Sequence, residues 1–229
     1  MQKEIKIFGR SLTITLRNEG DWAIAHELFL DHQYRYCDQV IRQAVNPIID
    51  VGGHLGFFSL YAALLNPRVP IYAFEPHEGN FGLLKENLKQ NRIQNVHPKN
   101  LAVASAIGQT TLHLSQEDLN HSTTHAIEPT GATQKVQTTT LERIMEKNRI
   151  ETCDLLKMDC EGAEFEIIYN TPKAIFDRIS HIFLEYHDWV EGQSSEELRQ
   201  FLKNQGYRVE KYPNHKMREL GFFWCQKVG

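Results

Sequence analysis

The sequence predicts an α/β fold in which a mostly parallel sheet carries helices on both faces. A small β/α extension precedes it and an antiparallel hairpin closes it. Three observations lead there. From residue 47 onward, short apolar runs alternate with segments of helical period. The first run, Ile48–Val51, stops at Gly52, Gly53 and Gly56 and leads into the apolar stretch Phe57–Leu65, a strand–glycine loop–helix unit. The chain has 229 residues, 41% hydrophobic and 24% charged, enough for one well-cored unit.

The elements follow in order. Ile5–Phe8 and Leu12–Leu16 flank Gly9-Arg10 as a hairpin. Asp21 is suited to cap a helix running to about Tyr36, and a short helix from Asp38 to Val45 leads to Pro47. Residues 1–46 thus form an extension and residues 47–229 the main domain. In the main domain Ile71–Phe74 is the second strand, and Asn80–Asn91 is an amphipathic helix. Val96–Ala104 is the third strand. Thr110–Leu114 and Val136–Thr139 are short added strands around a polar loop at 115–134, which suits a lid over an acceptor. Leu141–Asn148 is a helix. Leu155–Met158 is the fourth main strand, Ala163–Tyr169 a helix ended by Pro172, and His181–Tyr186 the fifth strand. Ser194-Ser195-Glu196-Glu197 is a capping box for a helix stopping at Gly206. Tyr207–Tyr212 and Glu219–Gln226 pair as the closing hairpin. Five alternating units and a terminal hairpin predict a seven-stranded, Rossmann-like sheet, a layout that resembles that of the class I methyltransferases.

Several partners are excluded at this level. A net charge of −4 offers no electrostatic case for nucleic acid or a membrane surface. No apolar run has the length of a membrane span, and the first residues lack a signal peptide's apolar core. Cys37, Cys153, Cys160 and Cys225 have no paired spacing and read as reduced thiols, which with the rest predicts a cytoplasmic protein.

The glycine loop does not match the dinucleotide fingerprint, because Asp50 stands where the first glycine would be. Glu75-Pro76 ends the second strand, where an acid can accept from both ribose hydroxyls. Asp50 and the loop suit a smaller zwitterionic group than a pyrophosphate. S-adenosyl-L-methionine (SAM) fits that description.

The fourth strand, Asp154-Leu-Leu-Lys-Met-Asp-Cys-Glu-Gly-Ala-Glu164, closely resembles the signature of the FkbM family of SAM-dependent methyltransferases. So do Asp50-Val-Gly-Gly-His-Leu-Gly-Phe-Phe-Ser59, Phe74-Glu75-Pro76, Asn100-Leu-Ala-Val-Ala104 and Leu184-Glu-Tyr-His187. The resemblance spans about residues 47–190. Gly53-His54 and Cys160 depart from the expected pattern. The resemblance implies O-methylation, often of a sugar or polyketide hydroxyl, on a small-molecule or glycan acceptor. It implies Asp50, Gly52 and Gly56 beside the methionine half of SAM, with Gly53 and His54 in the same loop. Glu75 and Pro76 would lie at the ribose, and Asn100, Leu101 and Ala102 at the adenine. Asp159 would stand beside the amino group or the acceptor.

Methyl transfer is an in-line displacement, and an alcohol must lose a proton as it attacks. Candidates for that chemistry are Asp159 and Glu161 after the fourth strand, and Glu185 and His187 on the fifth. Each pair has the period of two that places it on one side of an extended segment. His187, with a near-neutral reference pKa, is the first choice of base. The alternative is that Asp159, Glu185 and His187 hold a divalent ion such as Mg²⁺ or Mn²⁺. The metal-free version is preferred, since no spacing such as H-x-x-x-H is present. His121, His125 and Trp189 are acceptor-contact candidates. Rival classes are an NAD(P)-dependent oxidoreductase and a non-catalytic SAM-binding module. Tyr169/Lys173 and Tyr207/Lys211 match a reductase's Tyr-x-x-x-Lys, but Pro172 interrupts the first and the second lies in a strand.

Overall fold

The computed structural model describes residues 1–115, 122–123, 129–188, 192–214, 217 and 219–228. Strands β1 (Gln2–Ile7) and β2 (Arg10–Thr15) form an antiparallel hairpin, followed by α1 (Glu19–Phe29), a 3₁₀ turn at Arg35–Cys37 and α2 (Asp38–Gln43). The alternating region runs β3 (Ile48–Val51), α3 (Phe57–Leu65), β4 (Ile71–Phe74), α4 (Glu78–Gln90) and β5 (Val96–Lys99). Then come β6 (Ala102–Val103), β7 (Gly108–Ser115), β8 (Pro129–Thr139), α5 (Leu141–Lys147), β9 (Cys153–Met158), α6 (Glu164–Asn170) and α7 (Lys173–Phe176). The chain closes with β10 (Ile179–His187), α8 (Ser195–Asn204), β11 (Tyr207–Pro213) and β12 (Leu220–Lys227).

The main sheet has seven strands in the order β11-β12-β10-β9-β3-β4-β5. The five from β10 to β5 are parallel, and β12 joins them antiparallel through β10. The central strands β3 and β9 are buried along almost their whole length, as near-continuous apolar runs between two helical layers must be. One apolar cluster joins the N-terminal hairpin, α1, α2 and α3 to one face. The other packs α5, α6, α7 and α8 on the opposite face. The α/β class, the seven strands and the closing hairpin all agree with the sequence reading.

The N-terminal hairpin is held by amides rather than by another strand. Asn87, Gln90 and Asn91 recur at helical spacing on α4 and so share one face. Thr15 N–H donates to Asn87 Oδ1 at 2.7 Å, Thr13 N–H to Asn91 Oδ1 at 3.0 Å, and Gln90 Nε2 to the Thr13 carbonyl at 2.7 Å. These side chains satisfy an edge that would otherwise present unpaired backbone groups. Asn87 also donates to the carbonyl of Leu55 at 2.9 Å, tying α4 to the glycine loop.

Three boundaries differ from the sequence reading. The first helix is capped by Asn18, which accepts from Asp21 N–H at 3.0 Å, and it ends at Phe29 instead of reaching Tyr36. His32, at φ +53°, turns the chain out of helical geometry. The third strand does not continue to Ala104. Asn100 donates to the carbonyls of Glu75 and Pro76 at 2.9 and 2.8 Å, which pins the chain and turns it out of the main sheet. Beyond it, β6 pairs with β8 in a separate sheet of order β6-β8-β7. The two added strands are also longer than their apolar cores suggested, because the polar residues flanking Thr110–Leu114 and Val136–Thr139 continue the antiparallel pairing to Ser115 and Pro129.

Candidate active site

The carboxyl ends of β3, β4 and β9 open onto one cavity. Its walls include Tyr34, Gly52, Gly53, His54, Glu75, Pro76, Asn80, Ala102, Lys157, Asp159 and Glu161. Parallel strands end on the same side of a sheet, so loops distant in sequence meet there.

The first loop is shaped by its glycines and braced from behind. Gly52 has φ +78°, and a Cβ at that position would lie 1.7 Å from the carbonyl oxygen of Asp159. The glycine is therefore demanded by the close passage of the loop after β3 against the loop after β9. Asp50 is fully buried and does not reach the cavity. Its carboxylate accepts from Ser59 Oγ at 2.7 Å and lies 3.3 Å from Lys157 Nζ. Burial pushes the Asp50 carboxyl up, partly offset by the Lys157 charge. Lys157 lies opposite Asp50 in the β3–β9 register and donates to the carbonyl of Gly52 at 2.8 Å. Burial disfavours its charge, yet Asp50 and Asp159 outweigh that and hold its pKa above the ordinary lysine value. Gly56 opens α3 at φ +85° and packs against Leu84, behind the cavity wall.

Glu75 stands where β4 ends, 5% exposed. Its Oε2 accepts from His54 N–H at 2.8 Å and its Oε1 from His77 N–H at 2.9 Å, with Asn80 Nδ2 at 3.5 Å. Burial pushes its pKa up to about 7 against these hydrogen bonds. His54 sits in the left-handed region at φ +47°. Arg17 holds it from the N-terminal extension: Nη2 lies 3.1 Å from His54 Nε2 and donates to Asp21 Oδ1 at 2.7 Å, while Nη1 donates to Asn80 Oδ1 at 2.6 Å. Of the residues expected at the adenine, Ala102 lines the cavity. Asn100 is occupied in fixing the end of β4, and Leu101 packs against the core of the α5–α8 face.

The second loop carries the acids. Asp159 N–H donates to the Val51 carbonyl at 3.1 Å, and its side chain, 27% exposed, faces the cavity 3.8 Å from Lys157 Nζ. Glu161 adopts φ +55°, and its carbonyl accepts from Ser122 Oγ at 2.6 Å. Behind them, His187 is 2% exposed. Its Nε2 lies 3.5 Å from Glu161 Oε2 and its Nδ1 3.3 Å from Glu164 Oε1. Glu164 is fully buried and accepts from the N–H groups of Cys160 and Gly162 at 2.7 and 2.8 Å. Burial raises the Glu164 pKa, but the His187 charge and these hydrogen bonds prevail and hold it below the usual value. Burial pushes Glu161 up to about 8, despite the His187 charge. Burial and the Asp159 charge push Glu185 well above the carboxylate range.

Asp159, Glu161 and His187 are thus brought together, with ligand atoms all within 4.8 Å of one another, and Glu185 feels the charge of all three. The expectation of His187 as the base meets a physical obstacle. Burial disfavours its charge, but Glu164, Glu161 and Glu185 outweigh this and lift its pKa to about 10. It is also buried behind the cavity wall and does not line the cavity. His121, His125 and Trp189 lie outside the described residues, as does most of the 115–134 segment. Thr123 of that segment lines the cavity.

Lys157 shares the parity of Asp159 on an otherwise apolar strand, which marks it in the sequence as a partner for an acid, and it pairs with Asp50 and Asp159. Tyr34 belongs to the part of the extension that the sequence offers as a flap over the cofactor, and it lines the cavity. Arg17 and Glu164 are site residues that sequence reasoning did not single out, since no local pattern connects Arg17 to a loop tens of residues away.

Comparison with known proteins agrees with the geometry. The chain is 26% identical over 218 residues to methyltransferase sdnD of Sordaria araneosa, covering 81% of this chain and 82% of that protein. It is 24% identical over 227 residues to the 31-O-demethyl-FK506 methyltransferase FkbM of Streptomyces tacrolimicus, covering 86% of each. Among solved structures, M. capricolum TrmK in complex with S-adenosyl-homocysteine superposes with a TM-score of 0.51 at 12% identity, over 84% of this chain and 67% of that one, a likeness of fold. The family model of the methyltransferase FkbM domain matches residues 50–209, and the chain belongs to the FkbM methyltransferase family.

Proposed function

We propose that this protein transfers the methyl group of SAM to a hydroxyl oxygen of a sugar, polyketide or similar metabolite. The observation that carries the reading is the juxtaposition, in one cavity, of a fixed acid at the end of β4 and the carboxylates of Asp159 and Glu161 after β9, backed by the buried imidazole of His187. The cavity fits the cofactor's chemistry. Glu75 presents two oxygens with about four acceptor positions, of which backbone and amide donors take three, so acceptor capacity remains for a ribose diol. Ala102, Val103 and Phe74 supply apolar wall for a base. SAM supplies the electrophile, a methyl on a sulfonium. The chain's own residues do the rest. Gly52, Gly53 and His54 would shape the loop around the cofactor, and Asp159 is the more exposed of the two acids that line the cavity after β9. As an acceptor oxygen displaced the sulfide from the methyl carbon, Asp159 would take the hydroxyl proton and pass it to water. An oxygen acceptor is supported by the Streptomyces relative, which is named for 31-O-demethyl-FK506.

The test has two arms. Calorimetry with SAM and with NAD separates the cofactor classes; binding of NAD and not of SAM overturns the reading. A SAM-dependent transfer screen over glycan, polyketide and peptide-like alcohols, read by mass spectrometry, then identifies the acceptor. Methylation confined to nitrogen acceptors overturns the oxygen assignment, and SAM binding without turnover on any acceptor returns a binding module.

A further inference from the structure

We propose that Asp159, Glu161 and His187 form a binding site for one divalent cation at the edge of the methyl-transfer cavity. The three residues each offer a ligand atom within 4.8 Å of the other two. Metal–oxygen and metal–nitrogen bonds of about 2.0–2.3 Å would close that span with small side-chain rotations.

The imidazole is already mounted as a ligand. Its Nδ1 faces Glu164 at 3.3 Å, and Glu164 is fixed by two backbone N–H groups. That leaves Nε2 presented toward Glu161. A carboxylate behind the far nitrogen is the arrangement that sets tautomer and ring orientation in metal-bound histidines.

Glu161 gives a second, independent pointer. It is a non-glycine residue held at φ +55°, with its carbonyl latched by Ser122. Such backbone persists where the surroundings enforce it, and it clusters at functional sites. Its Oε2 is closed off from solvent, makes no hydrogen bond among the described residues and has the His187 Nε2 3.5 Å away, so the two ligand atoms face each other.

The donor set suits a cation as well. The carboxyl groups of Asp50, Asp159, Glu161 and Glu164 lie within 3.3–3.8 Å of Lys157 or His187, and Asp159 and Glu161 also face the cavity. Lys157 is committed to Asp50 and the Gly52 carbonyl. Two carboxylates and one imidazole with open positions suit a hard to borderline ion such as Mn²⁺ or Mg²⁺. The competing account is that the His187 imidazolium is itself the balancing charge, in which case the site takes no metal. On the methyl-transfer reading, on which this role rests, the ion would lower the pKa of an acceptor hydroxyl, whose proton would then leave to water without Asp159 acting as the base.

The experiment uses the full chain stripped with EDTA. Mn²⁺ is titrated by calorimetry and by the loss of its free-ion EPR signal, and SAM binding is measured on the same metal-free protein. One saturable Mn²⁺ equivalent is expected in the parent. Asp159→Asn and Glu161→Gln are each expected to weaken it by at least about tenfold. Glu166→Gln, outside the site on α6, is expected to leave it unchanged. No saturable Mn²⁺ binding overturns the proposal, and so does parental affinity in either variant. If Mn²⁺ binds as expected but SAM binds under no condition, the metal site stands and the methyl-transfer reading fails.

Discussion

Replacing Glu75 with glutamine separates stability from cofactor binding. Burial lifts this carboxyl from an ordinary 4.5 to about 7, because the desolvation penalty exceeds the help of three N–H donors. A folded pKa above the unfolded one means that the native state binds the extra proton. Stability from this group is then complete below about pH 4.5 and is lost as pH rises to about 7, above which it is flat. At about 1.4 kcal/mol per tenfold in proton affinity, the loss is about 3 kcal/mol. Glutamine cannot titrate, so its stability lacks this slope. It also cannot accept from both His54 N–H and His77 N–H, which costs roughly 1–3 kcal/mol at every pH. Urea unfolding of parent and Glu75→Gln from pH 4.5 to 8 is expected to show the parent's advantage shrinking by about 3 kcal/mol. Cofactor affinity is expected to move oppositely. The ionised carboxylate is the better acceptor for a ribose diol, so parental SAM affinity falls below pH 7 by up to about tenfold per pH unit. At pH 8 Glu75→Gln is expected to bind about 30- to 150-fold more weakly. A parent–variant stability difference that is flat with pH refutes the desolvation argument. Equal SAM affinity in the two proteins refutes the ribose assignment.

Other perturbations test the bracing around the site. Gly52→Ala places a methyl 1.7 Å from a backbone oxygen at φ +78°; denaturant unfolding is expected to show a loss of at least about 2 kcal/mol, with SAM binding impaired in whatever folds. Lys157→Met leaves Asp50 buried without its cation and is expected to cost about 3–5 kcal/mol, much of it recovered in the Asp50→Asn/Lys157→Met double variant by the same measurement. Arg17→Ala frees the His54 ring and is expected to raise KM for SAM more than it lowers kcat; an equal fall in kcat/KM and kcat with KM unchanged would contradict a role in shaping the cofactor loop.

The fold was legible because its signals are local. The apolar runs at Ile48–Val51 and Leu155–Met158 are strands since buried parallel strands need apolar side chains on both faces, and the glycines mark the turn between β3 and α3. Glu75, Asp159 and Glu161 were legible for the same reason, each standing just past a strand. Three things were not local. The role of Asn100 depends on carbonyls twenty-five and twenty-four residues earlier, so nothing near it marks the end of the strand. The reach of Arg17 into the cofactor loop spans 37 residues to His54. The protonation of His187 depends on Glu164, which by sequence alone reads as the opening of a helix.

Two of the six described non-glycine residues at positive φ fall where the chemistry gathers. His54 and Glu161 are non-glycine residues at positive φ, one in each of the loops that follow the two central strands, and both line the cavity. Both are also held by long-range contacts. His54 is gripped through its backbone by Glu75 and through its ring by Arg17, and Glu161 through its carbonyl by Ser122 and through its side chain by His187. A strained residue of order 1–3 kcal/mol persists only when its neighbours over-determine it. Here those neighbours come from α4's entry, from the N-terminal extension, from the β7–β8 hairpin and from β10. Two of the four lie outside the alternating strand–helix core. The core therefore sets where the loops emerge, and the added segments set the conformation in which they are held. On that division, changes to Arg17 or Ser122 alter how the site binds while leaving the sheet intact, and changes to Lys157 or Asp50 act on the sheet first.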